Sequence, residues 1–246
     1  MPDADKNDEG KIKKIVVFPN GPYLVQGGIP LVRKIQVVSE YGEPLSWKTE
    51  GKIETKDSYS LCRCGKSATF PFCDKSHRNI NFDGAEMADT RSTKERRVTY
   101  PEGTNISVSY DYYLCMNSGF CRNRIRGIEE MLPDTEDSEL RELVMAMIER
   151  CPSGSYSFSI KKGDPDIEPD YPQQIALTTE ITSDGLIEGP LWVTGNIPIE
   201  RSDGQPFEIR NRTTLCSCGH SLIKPLCDGA HRTMAEEEAK NKTKMG

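Results

Sequence analysis

Nine cysteines and two histidines set the chemistry of this 246-residue chain. The cysteines fall in three local groups: Cys62, Cys64, Cys73; Cys115, Cys121, Cys151; and Cys216, Cys218, Cys227. Nine is odd, so they cannot all pair as disulfides, and tight local triads suit metal ligation in a reducing compartment. His77 and His231 each stand four residues beyond the last cysteine of a triad. Cysteines one residue apart point to the same side of a turn, and a Cys and His at i, i+4 share a helical face. Each outer triad therefore gathers three thiolates and an imidazole around one centre. By donor type alone, two chemistries stay open: a structural zinc ion or an iron–sulfur cluster. His220 aligns with Lys66 of the other copy and is expected to be a surface residue.

The elements that position these donors repeat. Gly21-Pro22-Tyr23-Leu24-Val25 through Gly27-Gly28-Ile29-Pro30-Leu31 parallels Gly189-Pro190-Leu191-Trp192-Val193 through Gly195-Asn196-Ile197-Pro198-Ile199. Each copy runs on through polar, strand-like sequence into its Cys/His segment, and the first is longer around Lys34 to Lys52. Ile15–Phe18, Tyr23–Val25, Ile35–Val38, Leu191–Thr194 and Phe207–Ile209 are β-rich and bounded by Gly, Pro or Asp, which predicts strands. Asp74 and Asp228 are expected to cap a helical turn after each third cysteine. Two copies, each too small to bury a core, are expected to pack on one another as a pseudo-twofold pair.

The middle differs. Ile106–Tyr110 alternates like a strand, and Arg122–Met131 predicts a short helix ended by Pro133. Leu140, Leu143, Val144, Met147 and Ile148 keep helical spacing, which predicts a helix over 138–150, capped by Ser138 or Asp137 and stopped at Cys151-Pro152. Tyr156–Ile160 returns to strand. The predicted class is α+β: two β-rich modules with a small α+β unit inserted. The boundaries are 1–12 for a disordered tail, 13–92 and 166–233 for the modules, 93–165 for the inserted unit, and 234–246 for a charged tail.

Cys62-x-Cys64-x2-Ser67-x3-Pro71-x-Cys73-Asp74-Lys75-Ser76-His77 and Cys216-x-Cys218-x2-Ser221-x3-Pro225-x-Cys227-Asp228-Gly229-Ala230-His231 resemble the CDGSH iron–sulfur family, which includes mitoNEET-like proteins. The second copy matches at every position; the first has Lys75 where the family has Gly. The resemblance implies two [2Fe-2S] clusters. In the first, Cys62 and Cys64 hold one iron, and Cys73 and His77 the other; in the second, the pairs are Cys216 with Cys218 and Cys227 with His231. It also implies a strand-swapped β-sandwich with a cluster-binding cap. If position 75 needs a positive φ, lysine costs about 1 kcal/mol there. Its cation would favour the reduced cluster. A neutral imidazole ligand raises the potential of its iron, and its protonation near neutral pH weakens the bond.

Cys115-x5-Cys121 and Cys151-Pro152 resemble small monocluster ferredoxin domains, with Ser118 where a second cysteine would stand. The resemblance implies a [3Fe-4S] cluster on Cys115, Cys121 and Cys151, or a [4Fe-4S] cluster with a non-cysteine fourth ligand, for which Asn117 and Ser118 are the candidates.

Composition narrows the function. The formal net charge is −6 and the pI near 5.3. An acidic chain is a poor match for nucleic acid, and the basic stretches Arg91 to Arg97 and Arg122 to Arg126 read as solvated faces. No run approaches the ~18 apolar residues of a membrane helix, and Met1 to Lys14 has no signal-peptide core. The expectation is a cytoplasmic monomer with an internal pseudo-dimer. No nucleophile–base pair or phosphate loop points to an enzyme. The expected function is one-electron transfer with a redox partner protein. The alternatives are cluster storage, transfer to an acceptor or redox and pH sensing through the His-ligated clusters, and a zinc-stabilised interaction module.

Overall fold

The computed structural model describes residues 12–245 except 102 and 104. The predicted disordered tail lies outside these residues apart from its last position. The architecture is mixed α+β, with three sheets and few helices.

In the first module, β1 (Lys14–Val17), β2 (Tyr23–Gln26), β3 (Leu31–Val38), β4 (Pro44–Ile53) and β5 (Ser58–Leu61) follow one another. In β1 and β2 burial alternates, with Ile15, Val17, Tyr23 and Val25 inward, as a period of two requires. Then come α1 (Thr93–Arg96), β6 (Val98–Thr99), β7 (Ser107–Tyr110), α2 (Ile128–Met131), α3 (Ser138–Arg150) and β8 (Tyr156–Ser159). The second module has β9 (Gln174–Thr182), β10 (Gly185–Thr194), β11 (Ile199–Glu200), β12 (Arg212–Leu215) and α4 (Ala230–Met245).

The two modules exchange strands. The first sheet runs β11-β1-β2-β5, so the second module's β11 completes it beside β1. The larger sheet runs β12-β10-β9-β3-β4, so the first module's β3 completes it beside β9. Both junctions are parallel, pairing Ile15 with Ile199 and Leu31 with Ile175. The hydrogen bonds that start them correspond: Ile15 N–H donates to the Pro198 carbonyl at 2.9 Å, and Ile175 N–H to the Pro30 carbonyl at 2.9 Å. One apolar core serves both modules, with Ile15, Val25, Ile29 and Leu61 packed together with Ile175, Leu191, Ile197 and Leu215.

The middle forms a β6-β7-β8 sheet covered by α2 and α3 around its own core of Val108, Phe158, Met131, Val144 and Ile148. The α3 bounds match expectation, and Asp137 is its cap, its carboxylate accepting from Glu139 and Leu140 N–H groups. Arg212 on β12 terminates α3 from outside: its guanidinium donates to the carbonyls of Ile148, Glu149 and Cys151 at 2.7–2.9 Å. It also ion-pairs with Glu168. Trp47 of β4 packs against Phe120 and Trp192.

Several expectations need correction. Phe207–Ile209 is not a strand: Phe207 packs onto the shared core and Glu208 accepts from Thr93 instead. The helix expected over Arg122–Met131 is confined to Ile128–Met131, because Arg122 bridges Gly127 and Asn123 folds its side chain onto the N–H groups of Ile125 and Arg126. Arg96 is not on a solvated face but pairs with buried Asp111 at 2.8 Å. The charged segment 234–246 needs no correction: a loose helix is among the expectations for it, and α4 runs through it as far as Met245. The extra length after Lys34 is the β3–β4 hairpin.

Ile29→Ala and Ile197→Ala should each cost about 2–5 kcal/mol. Both should lower one shared calorimetric transition for the two modules; separate transitions would contradict a common core.

Candidate metal centres

Each outer site is a loop tied to its own sheet. Cys62 N–H donates to the Pro71 carbonyl at 2.7 Å, and Cys216 N–H to Pro225 at 2.8 Å. Cys73 N–H reaches Ser60 and Cys227 N–H reaches Thr214, both at 2.9 Å. The frame positions common to both copies serve this loop. Ser67 donates to the Phe72 carbonyl and Ser221 to that of Leu226. Asp74 accepts from Ala68 and Ser76 N–H, and Asp228 from Leu222 and Ala230 N–H. The aspartates therefore clamp the two ends of the loop rather than sit at the formal cap position, which in the first copy is Lys75. The Ser76 hydroxyl first, then the Ser76 and Ala68 N–H groups, hold the Asp74 carboxyl down at about 2.

The donors come in pairs. The Sγ atoms of Cys62 and Cys64 are 3.8 Å apart, and those of Cys216 and Cys218 3.7 Å. A disulfide would need about 2.05 Å. Two thiolates on one tetrahedral metal, with bonds of about 2.3 Å, stand roughly 3.8 Å apart. Cys73 Sγ lies 3.4 Å from His77 Nδ1, and Cys227 Sγ 3.6 Å from His231 Nδ1. The Lys75 and Gly229 N–H groups each donate to the cysteine sulfur two residues back at 3.4 Å. Among the described residues, no three His, Cys, Asp or Glu side chains converge on a single ion position. Donors set two and two fit a bridged pair of irons. The Cys216 thiol is lowered to about 6, first by its bond from Cys218, whose own thiol is raised by the same bond and by burial.

In the central unit, Cys115 and Cys151 both act electrostatically on Cys121. Burial, then the charges of Cys151 and Cys115, push the Cys121 thiol up to about 11. Cys151 follows α3; burial opposes its ionisation, but the Arg212 charge and the Ser153 and Ser155 hydroxyls leave its pKa lowered. Ser118 is buried, and Asn117 Oδ1 lies 3.6 Å from Cys115 Sγ. His220 is exposed, as expected.

Two features have no local sequence signal. The two outer loops touch backbone to backbone: a Cβ on Gly65 would lie 2.3 Å from the Cys218 carbonyl oxygen, and one on Gly219 2.7 Å from that of Cys64. The sites also differ in cover. Gly229, at φ +88°, faces the central loop, where an added Cβ would meet the Met116 carbonyl at 2.8 Å. His231 Nε2 faces the fully buried Glu180 at 3.3 Å, which also meets Arg232 Nε at 2.6 Å. Neither approach has hydrogen-bond geometry. Lys75 does adopt a left-handed φ of 74° and is exposed. Beside it a cavity of about 740 Å³ reaches Cys73 and His77.

Comparison with known families agrees with these sites. Residues 20–78 and 188–232 match the family described as iron-binding zinc finger, CDGSH type. Residues 101–161 match the divergent 4Fe-4S mono-cluster family. No curated protein and no solved structure matches the chain. The chain carries two CDGSH-type iron-binding segments flanking a divergent mono-cluster domain, and is an iron–sulfur protein.

Lys75→Gly should stabilise the cluster-loaded protein by about 0.5–1 kcal/mol, by relieving a left-handed lysine. Gly229→Lys should destabilise it by about 2–5 kcal/mol, through the same strain plus the clash with Met116. Thermal unfolding of both variants checks the opposite signs.

Proposed function

We propose that this chain, with its two CDGSH-type segments around a mono-cluster domain, is a one-electron carrier holding three clusters. Cys62, Cys64, Cys73 and His77 hold one [2Fe-2S] cluster, and Cys216, Cys218, Cys227 and His231 the other. Cys115, Cys121 and Cys151 hold a [3Fe-4S] cluster, since Ser118 takes the place of a fourth thiolate. When bound, such clusters supply reversible one-electron chemistry. The observation that carries this reading is the pairing of donors two and two in both outer loops, at 3.8 and 3.4 Å and at 3.7 and 3.6 Å.

The residues of the chain do the positioning. The Lys75 and Gly229 N–H groups on sulfur stabilise negative charge there, and the shared core keeps the two outer loops in contact. We read the modules, 13–92 and 166–233, as an intramolecular pseudo-twofold pair with 93–165 inserted; the corresponding parallel junctions support this. The partner is a redox protein, with no catalytic, nucleic-acid or membrane role for the chain. Among the described residues no helix is long and apolar enough to cross a membrane. A monomer in the cytoplasm fits nine free thiols. A second reading, cluster transfer to an acceptor, is favoured by the opening beside His77.

Protein purified without oxygen should hold about seven irons per chain, as 2 + 3 + 2, with matching sulfide. It should bleach on dithionite and show a near-isotropic [3Fe-4S] EPR signal when oxidised. Eight irons without that signal would make the centre a four-iron cluster, and colourless zinc-loaded protein would end the reading.

A further inference from the structure

The two outer sites share a frame but not surroundings, and the difference gives the molecule a direction. At the second site His231 is 6% exposed and faces the buried Glu180. Its loop is closed off on one side by the central loop at Met116, and α4 leads away directly from its histidine. At the first site Cys73 and His77 line an open cavity of about 740 Å³. Lys75 and Arg78 stand at this cavity and are both exposed. Its described lining residues include these two cations and no carboxylate, although the chain as a whole carries a net charge of −6. Phe18 and Phe82 supply apolar surface beside them.

The contacts also set an order. The central loop touches the second site at Gly229, and the second site touches the first through Gly219 against Cys64 and Gly65 against Cys218. The first site then opens to solvent.

We propose that electrons enter and leave this protein at the first outer site, through the opening beside His77, to a protein partner with an acidic face, and that the second outer site is an internal relay. This rests on the electron-carrier reading above. Carboxylates on the partner meet Lys75 and Arg78, and the apolar rim excludes water around them. Attraction between opposite charges raises the association rate and falls with added salt. At the second site a buried carboxylate stands 3.3 Å from His231 Nε2, whereas the first site's imidazole opens on the cavity instead. The held site relays and the open site exchanges. Each exchange moves one electron: the reduced site loses it, and a one-electron oxidant gains it.

The test uses the cluster-loaded full chain, reduced and then mixed at low ionic strength with either of two oxidants. Hexacyanoferrate(III) is an anion and is reduced to hexacyanoferrate(II). Hexaamminecobalt(III) is a cation and is reduced to cobalt(II). The double variant K75E/R78E should be reoxidised at least tenfold more slowly by the anion and severalfold faster by the cation. Lys75→Gly with Arg78→Ala should shift both rates the same way by less. The control K161E/K162E, exposed on the inserted unit, should change neither ratio. A second readout is independent of turnover. Hexacyanochromate(III), an inert trianion, should broaden the amide NMR signals of Asn20, Gly21 and Asn81 at the cavity in wild type and lose that effect in K75E/R78E.

Rates that ignore charge at 75 and 78, or that follow 161 and 162 equally, would overturn the port while leaving a carrier. Wild-type clusters that cannot cycle reversibly would overturn the carrier reading, and the port with it.

Discussion

Everything in this molecule depends on two stretches of backbone meeting where no side chain fits. Gly65 lies against Cys218 and Gly219 against Cys64, so the turns that carry the cysteine pairs are in direct contact. Such an approach is open only to glycine, and it holds only if the supporting sheets keep their relative position. The strand exchange supplies that constraint. Because β3 completes the second module's sheet and β11 the first's, neither sheet can shift without breaking the ladder of the other. The shared core then couples the modules through apolar packing as well as hydrogen bonds. Donor spacing inside each loop and spacing between loops are consequences of the same framework.

The central unit is fastened by different means. Arg212 takes three carbonyls at the end of α3, and Arg96 neutralises Asp111 below the surface. Buried guanidinium groups of this kind are tolerated because their donors are occupied and a carboxylate is within reach. Arg212 also lowers the pKa of the Cys151 thiol, and its strand runs into Cys216. One residue on β12 thus joins the helix before the central site's last cysteine to the element that presents the second outer site.

Much of this was legible in the residues. The three cysteine groups, the repeated frame and the amphipathic spacing of α3 are local patterns, and each corresponds to a local structure. The contrast between Lys75 and Gly229 was visible as a departure between copies, but its cause was not. What decides it is the loop at Met116, more than a hundred residues away in sequence, which lies against one position and not the other. Glu180 gave no signal, since one carboxylate in a strand looks like any solvent-facing residue until a histidine is placed opposite. The basic stretch containing Arg96 looked like a wetted surface because charge alone does not reveal a buried partner. Phe207–Ile209 had strand composition, but its side chains were engaged elsewhere, and composition cannot report that competition.

The aromatic contact at the edge of the central unit has an optical consequence. Trp47 and Trp192 are the chain's two tryptophans, and their rings lie 5.7 Å apart, with Phe120 against Trp47. All the indole emission of the protein therefore originates at the seam between the inserted unit and the larger sheet. Fluorescence followed during denaturation will register the parting of that seam, whereas far-ultraviolet dichroism will register the loss of the strands themselves.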